Sequence, residues 1–227
     1  MNRQQFTAAV FLVPVLLGWK DVVYAGLSEL DASSGVRTAL ERGATSAVAL
    51  LSKPGGYLDN PKVRIPLPGY LEDGAKILRA LGQREKVDEL VTAMNRAAEA
   101  AAPQAKSLLI DAAKKMSVED ALQIVRGGET SVTDFFARKT RDPLSKTFLP
   151  IVTQATDKAS LAQKYNAVAG KATGLGLVKK EDATIEQYVT RKSLDGLYFM
   201  IGEEEKKIRK DPIGTGSDIL KKVFGGG

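Results

Sequence analysis

One stretch near the carboxyl-terminal end, Thr184–Lys210, constrains the fold more than any other part of the chain. Thr184 followed by Gln187 three residues later is a capping-box pattern, which predicts that a helix begins there. At about 100° per residue, the apolar side chains fall on two sides of this helix, and such a helix is usually buried between neighbours. The stretch therefore predicts a central buried helix near residues 185–209. The two apolar sides are Ile185, Tyr188, Val189, Phe199 and Met200, and Leu194, Leu197, Tyr198, Ile201 and Ile208.

The last turns of this helix, Glu203–Lys210, are dominated by charged residues. Acidic and basic residues stand four apart there, as in Glu205 and Arg209, which favours ion pairs along a helix. Three adjacent acids on a helix point in different directions, so Glu203–Glu205 is interpreted as a solvated face and not as a cation site. We expect this end of the helix to emerge into water.

Composition supports helices throughout the chain. Alanine and leucine dominate the apolar positions and aromatic residues make up only 6% of the 227 residues, which favours close-packed helices over a β-sandwich. Helical patterns recur between short glycine and proline connections, and a new helix is expected to begin at Asp142-Pro143 and to kink near Pro150. The sequence predicts an all-α, single-domain multi-helix bundle around the 185–209 helix, spanning residues 26–227.

The most distinctive irregular segment is residues 57–68, in which Pro61, Pro66 and Pro68 forbid a helix. They predict an extended strap or a short hairpin, with alternate residues turned toward the protein. One interpretation is a stiff strap that covers the helical core. The other is a preorganised rim that aims Lys62 and Arg64 at an anionic ligand.

The amino terminus has the layout of a secretory signal peptide. Arg3 precedes the apolar run Phe6–Gly18, and Val23 and Ala25 supply small residues at the −3 and −1 positions of a cleavage site. We therefore expect residues 1–25 to be removed after Ala25 and the protein to be exported, which means the periplasm if the source is a Gram-negative bacterium. No transmembrane span is expected in the mature chain.

The chain contains no cysteine and no histidine. Their absence excludes thiol nucleophiles, disulfides, Cys/His zinc sites and Ser-His-Asp triads. No phosphate-binding glycine motif and no calcium loop occur either. We accordingly expect no cofactor and no bound metal, and any catalysis would rest on carboxylate, lysine or tyrosine groups.

The formal net charge of +6 arises from 33 basic and 27 acidic residues, with no run of five or six like charges. A mixed, solvated surface is favoured over a nucleic-acid interface, because no basic arm or RNA-binding aromatic pattern is present.

The strongest polar grouping lies on the predicted central helix. Arg191 and Lys192 precede Asp195 at helical spacing, so either base could pair with that carboxylate. A charge within an apolar face is costly unless it is paired. One interpretation is an ion pair that fixes the position of the helix, and the other is a pocket. The ligand-binding candidates are Lys62, Arg64, Arg191, Lys192, Asp195 and Tyr198.

Four segments together resemble a known family: NPKVRIPLP (Asn60–Pro68), SVEDA (Ser117–Ala121), FLPIV (Phe148–Val152) and YVTRKSLDGLYFMI with the following acids (Tyr188–Glu205). They are similar to the bacterial family of domain of unknown function 4197, over about Leu27 to Phe224. The resemblance implies an exported, mostly helical protein and implies no activity, ligand or catalytic residue.

These observations favour a non-enzymatic binding or structural module of the cell envelope. Its partner is unknown, and an envelope protein or an anionic ligand would fit Lys62 and Arg64. Two alternatives stay open. One is an enzyme using carboxylate, lysine or tyrosine chemistry around Asp195, and the other is a peripheral binder of anionic membrane.

Overall fold

Helices account for most of the residues that the structure, a computed structural model, describes, namely 29–157, 162–163, 165–166 and 182–211. Within these ranges there is no strand, so the predicted all-α bundle is confirmed. A 3-10 turn, Ala102–Gln104, separates the third and fourth helices. The helices are α1 (Glu29–Leu51), α2 (Gly69–Ala80), α3 (Arg84–Ala101), α4 (Ala105–Lys114), α5 (Val118–Arg126), α6 (Ser131–Thr156) and α7 (Ile185–Lys210).

Helix α7 is the central buried helix that the sequence predicts. It packs against α6, α1 and α3, and the hydroxyl of Thr184 accepts a hydrogen bond from the Gln187 N–H at its start. Both predicted apolar sides are buried except at Phe199, which is 43% exposed. The assignment of Phe199 to the core is wrong, because this residue lies on the same helical face as Lys192 and Asp195.

The carboxyl-terminal turns of α7 are less solvated than expected. Glu205 is buried, and its carboxylate accepts hydrogen bonds from the guanidinium of Arg209 and the hydroxyl of Ser131. Burial raises the pKa of Glu205, and the contacts with Arg209 only partly oppose this rise. The prediction of a fully solvated acidic face is therefore wrong at Glu205, because α7 stays packed beside α6 as far as this turn.

Helix α6 runs through both of its prolines. The predicted new helix at Asp142-Pro143 is not observed, since residues Ser131–Thr156 form one helix that includes Pro143 and Pro150. Both proline rings lie on the exposed side, while Phe136, Leu144 and other apolar residues of the opposite side are buried against α3 and α7. Packing of this inner side outweighs the loss of backbone hydrogen bonds at the prolines.

Residues 57–68 form a strap and not the hairpin, and it is only partly extended: consecutive turns occupy residues 57–63, and residues 64–68 follow without regular secondary structure. Val63, Ile65 and Leu67 are buried, whereas Lys62, Arg64 and Pro66 between them are exposed, as the predicted alternation requires. We call residues 57–68 the strap.

Two polar side chains of α3 hold the strap in place. The side-chain amide of Asn95 accepts a hydrogen bond from the Ile65 N–H at 2.8 Å and donates one to the Ile65 carbonyl oxygen at 2.9 Å. One carboxylate oxygen of Glu99 accepts hydrogen bonds from the backbone N–H groups of Gly55, Tyr57 and Leu58 at 3.0 to 3.1 Å. Side chains of α3 thus form hydrogen bonds with backbone groups of the strap that, in a sheet, would bond to a neighbouring strand.

The proposed signal peptide, residues 1–25, lies outside the described residues. Among the helices that the structure describes, none is both long and apolar enough to cross a membrane.

Candidate functional site

The turn at Asn60 sets the direction of the two basic side chains of the strap. The carbonyl oxygen of Asn60 accepts hydrogen bonds from the N–H groups of Val63 and Arg64, and its side-chain oxygen accepts one from the Lys62 N–H at 3.2 Å. This Asx-type turn fixes the backbone locally. The alternation that follows turns Val63 inward and leaves Lys62 and Arg64 in solvent.

The strap lies directly on α7 because α7 has a glycine at the crossing point. A Cβ atom placed on Gly196 would come within 2.8 Å of the Tyr57 ring and 3.2 Å of the Val63 Cβ. The buried Tyr57 hydroxyl donates to the Ser193 carbonyl oxygen at 2.7 Å, and the Tyr188 hydroxyl donates to the Pro66 carbonyl oxygen at 3.1 Å. Burial, together with the negative charges of Glu99 and Asp195, raises the pKa of Tyr57, so this hydroxyl stays protonated.

A groove of about 260 Å³ lies between the strap and α7, and we call it the strap groove. Its α7 wall is a stripe of residues three to four positions apart, which places them on one helical face. Phe199 exposes its ring at the end of this stripe. The groove is lined by Lys62, Val63, Arg64, Ile65, Pro66, Lys192, Asp195, Gly196 and Phe199.

The three cations of the strap groove differ in how they are paired. The Lys62 ammonium lies 2.5 Å from a carboxylate oxygen of Glu203, and this contact lowers the pKa of Glu203. Within the described residues, neither Arg64 nor Lys192 forms an ion pair. The Lys192 ammonium instead lies 6.0 Å from the centre of the Tyr188 ring. Two positive charges of the groove therefore have no carboxylate opposite them.

The one carboxylate in the strap groove is already occupied. Asp195 accepts from Arg141 at 2.9 Å and from Arg191 at 3.3 Å. Arg191 also donates two hydrogen bonds to Asp182, at 2.8 and 2.9 Å. Burial alone would lower the pKa of Arg191, but its bonds to Asp182 and the nearby Asp195 charge raise that pKa overall. Asp195 is thus fixed between two guanidinium groups.

The sequence candidates are only partly brought together. Four of them, Lys62, Arg64, Lys192 and Asp195, line the strap groove. Arg191 lines a different groove, although it reaches Asp195. Tyr198 is buried, and its hydroxyl lies 2.8 Å from the Thr140 hydroxyl.

The ring of Tyr198 lies beside Arg141, which pairs with Asp195, but its hydroxyl is bonded inside the bundle. The Thr140 hydroxyl donates to the Phe136 carbonyl oxygen at 2.7 Å, so it accepts from Tyr198. Burial raises the pKa of Tyr198, and the Arg141 guanidinium, 5.0 Å from the ring centre, opposes this only in part. Its hydroxyl therefore stays protonated inside the bundle.

The second groove lies between α6 and α7 and has a volume of about 450 Å³. We call it the α6–α7 groove. Two of its cations, Arg141 and Arg191, are those that hold Asp195, and Lys146 adds a third. The groove is lined by Arg141, Asp142, Ser145, Lys146, Leu149, Gln187, Thr190 and Arg191.

Sequence reasoning missed Arg141 and Phe199. Phe199 stands seven residues after Lys192 and four after Asp195, and this spacing is a signal that it shares their face. Arg141 carries no such signal, because its contact with Asp195 spans 54 residues.

The arrangement suits binding of an anion better than binding of a cation. In the described part of the chain, no three acidic residues gather in a way that could hold a metal ion. The strap groove instead offers the guanidinium group of Arg64 and the ammonium group of Lys192, neither of which has a carboxylate partner in the described residues. The exposed ring of Phe199 lines the same groove.

A family model described as protein of unknown function (DUF4197) matches residues 26–225. No curated protein matches this chain. No solved structure matches it either.

Proposed function

Given that the chain belongs to the DUF4197 family, we propose a function from the strap groove itself: a non-enzymatic binding module of the cell envelope that takes an anionic group. The ligand is the acidic part of a partner molecule, with an apolar or aromatic portion next to the negative charge.

The observation that carries this proposal is the pair of cations at the groove, Arg64 and Lys192, that lack a carboxylate partner in the described residues. Hydrogen bonds from guanidinium and ammonium groups to an anion are about twice as strong as those between neutral groups. Buried side chains already hold the strap in place, so little conformational entropy is lost when a ligand binds to it.

Phe199 supports the choice of an anion with an aromatic or apolar portion. It is one of the few large apolar side chains that the described part of the chain exposes, and it lines the same groove. Aromatic rings contribute large contact areas and stack favourably on flat partners.

The fixed position of Asp195 supports a binding role over a catalytic one. A carboxylate that already accepts from two guanidinium groups is poorly placed to accept a proton from a substrate. Tyr198, a second group suited to acid–base chemistry, is hydrogen bonded inside the bundle and does not line this groove.

Export is part of the proposal and is supported by the signal-peptide pattern of residues 1–25. The family match begins at residue 26, directly after the expected cleavage site. The intact mass of the protein isolated from its own host would then correspond to a chain that starts at Gly26, and a full-length chain found only in the cytosol would contradict export.

Binding of 2-naphthalenesulfonate, an aromatic anion, tests the proposed function by fluorescence or calorimetric titration. We expect Arg64→Gln and Lys192→Gln each to weaken binding about three- to tenfold, because each removes one charge-assisted contact. Lys106→Gln is the matched control, since this exposed lysine lies on α4 and its loss changes the net charge equally.

The neutral counterpart 2-naphthalenesulfonamide should bind more weakly than the anion, and salt should reduce the difference. Equal binding of both compounds, or equal effects of Arg64→Gln and Lys106→Gln, would contradict the proposal.

A further inference from the structure

The α6–α7 groove contains a buried hydroxyl that the fold itself does not use. Thr190 is only 5% exposed, yet its Oγ1 atom has no hydrogen-bond partner among the residues that the structure describes. Several buried helical hydroxyls of this protein bond to the carbonyl oxygen four residues earlier, as those of Thr140, Thr156 and Ser193 do. The hydroxyls of Ser33 and Thr133 share the unpaired state of Thr190, but neither residue lines the α6–α7 groove. A buried polar group without a partner is costly and requires an explanation.

A ligand in the groove that Thr190 lines would explain this hydroxyl. Arg141, Lys146 and Arg191 line the same groove, together with the carboxylate of Asp142. Arg141 and Arg191 already pair with Asp195, so they offer a ligand only those of their five N–H donors that such pairs leave over. Within the described residues Lys146 forms no ion pair. A carboxylate accepts hydrogen bonds from hydroxyl, guanidinium and ammonium groups, and residues with all three groups line this groove.

Gln187 also lines this groove and can supply a donor, although its unpaired atom is an acceptor that a carboxylate does not satisfy. Its side-chain oxygen is buried and accepts no hydrogen bond, so the reciprocal half of the predicted capping box at Thr184 is missing. The side chain lines the α6–α7 groove instead. Its amide NH₂ group can donate to an anion there.

Leu149 indicates which kind of chemical group adjoins the carboxylate of the ligand. It is 37% exposed, and it is one of the few large apolar side chains exposed in the described part of the chain. It lies one helical turn from Lys146 on α6 and lines the same groove. A ligand with an aliphatic chain next to its carboxylate would contact both residues.

We propose that the α6–α7 groove is a second binding site, which takes the carboxylate of a small aliphatic organic acid through Lys146, Arg141, Arg191 and the hydroxyl of Thr190. It differs from the strap groove in its residues and does not depend on the function proposed there. Its volume of about 450 Å³ is within the range of small-molecule sites.

Octanoate is the probe that tests this site, with binding followed by calorimetry and by the methyl NMR signals of Leu149. We expect octanoate to bind about tenfold more tightly than neutral octanamide, because only the acid makes charge-assisted hydrogen bonds. Lys146→Gln and Thr190→Val should each weaken octanoate about three- to tenfold. Thr190→Val removes a hydroxyl that makes no hydrogen bond within the protein, so we expect this variant to fold.

Three controls make the result decisive. Lys106→Gln and Thr147→Val change the same residue types outside the lining of the groove, and both should leave octanoate affinity unchanged. Arg64→Gln should also leave it unchanged, since Arg64 lines the strap groove and is not part of the lining of the α6–α7 groove.

The proposal is overturned if octanoate and octanamide bind equally, or if Thr190→Val and Lys146→Gln bind octanoate as the unmodified protein does. Loss of octanoate binding in Arg64→Gln would place the acid in the strap groove and would also overturn it. Inorganic phosphate that binds as tightly as octanoate, with the same response to the variants, would overturn the assignment to an aliphatic acid.

Discussion

At the scale of single residues, Glu99 is the side chain on which the geometry of the strap depends most. It is 5% exposed, and one of its oxygens accepts three backbone hydrogen bonds while the other accepts from Arg96 at 2.6 Å. Burial alone would raise the pKa of Glu99, but the hydrogen bonds from Leu58, Arg96 and Tyr57 outweigh it and hold the pKa below its usual value. The folded protein therefore stabilises the charged form of this side chain.

We expect Glu99→Gln to lower the free energy of unfolding by about 1–3 kcal/mol, because a neutral amide oxygen is a weaker acceptor and its NH₂ group opposes Arg96. Chemical denaturation at neutral pH measures this loss. Glu89→Gln is the matched control, since Glu89 is exposed on the same helix, and its effect should be within about 0.5 kcal/mol.

The difference between the unmodified protein and Glu99→Gln should also depend on pH. A carboxyl whose pKa is lowered by folding stabilises the protein above its unfolded pKa of about 4.3, and this contribution is lost as the pH falls through the folded value. The two proteins should thus differ by a constant amount above about pH 5 and converge in more acidic solution. A difference that stays constant down to the acid unfolding transition would show that the charge of Glu99 is not what holds the strap.

At the scale of elements, the close approach of the strap to α7 at Gly196 sets the shape of the strap groove. Tyr57 cannot withdraw easily from a new side chain there, because its ring is fully buried and its hydroxyl is bonded to Ser193. Gly43 in α1 is a contrasting glycine, since a Cβ atom there would meet only the Glu204 Cβ at an ordinary 3.7 Å.

Substitution by alanine should change the stability of the protein in opposite directions at the two glycines. We expect Gly196→Ala to destabilise the protein by about 1–3 kcal/mol through overpacking against Tyr57 and Val63. Gly43→Ala should stabilise it by about 0.5–1 kcal/mol, because alanine restricts the unfolded chain and favours the helix. Thermal unfolding of both variants measures the contrast, and equal shifts of the same sign would argue against the close packing at Gly196.

Much of the architecture at this scale could be predicted from local patterns. Helix α5 begins at a capping box formed by Ser117 and Asp120, and Gly82, with a φ of 73°, follows the end of α2; both are signals that a sequence displays locally. Helix α6 could not be predicted, because proline propensity is local whereas the packing that keeps the helix continuous through Pro143 comes from α3 and α7.

The candidate site shows the same division between local and long-range information. The exposure of Lys62 and Arg64 follows from alternation along the strap, which a sequence displays directly. The pairing of Asp195 with Arg141 depends on how two distant helices pack, and no spacing in the sequence reveals it. Phe199 shares a helical face with Lys192, as the spacing predicts, but at Phe199 this face opens to solvent beside the strap, which depends on long-range packing.

At the scale of the whole molecule, the excess of positive charge takes a specific form in the described residues. The net charge of +6 is small for 227 residues and is not gathered in runs. Helix α7 lines both the strap groove and the α6–α7 groove. Each groove has a cation that forms no ion pair within the described residues, and each has one exposed large apolar residue. This combination fits a protein that binds amphiphilic anions.

The most direct test of the central claim is where an aromatic anion binds. We expect backbone amide NMR signals of residues 62–65 and 192–199 to shift on titration with 2-naphthalenesulfonate, and those of the α4 helix, residues 105–114, to stay unchanged. The shifts should be lost in the Arg64→Gln/Lys192→Gln double variant. Shifts centred elsewhere on the protein, or shifts that persist in the double variant, would contradict the assignment of the strap groove as an anion-binding site.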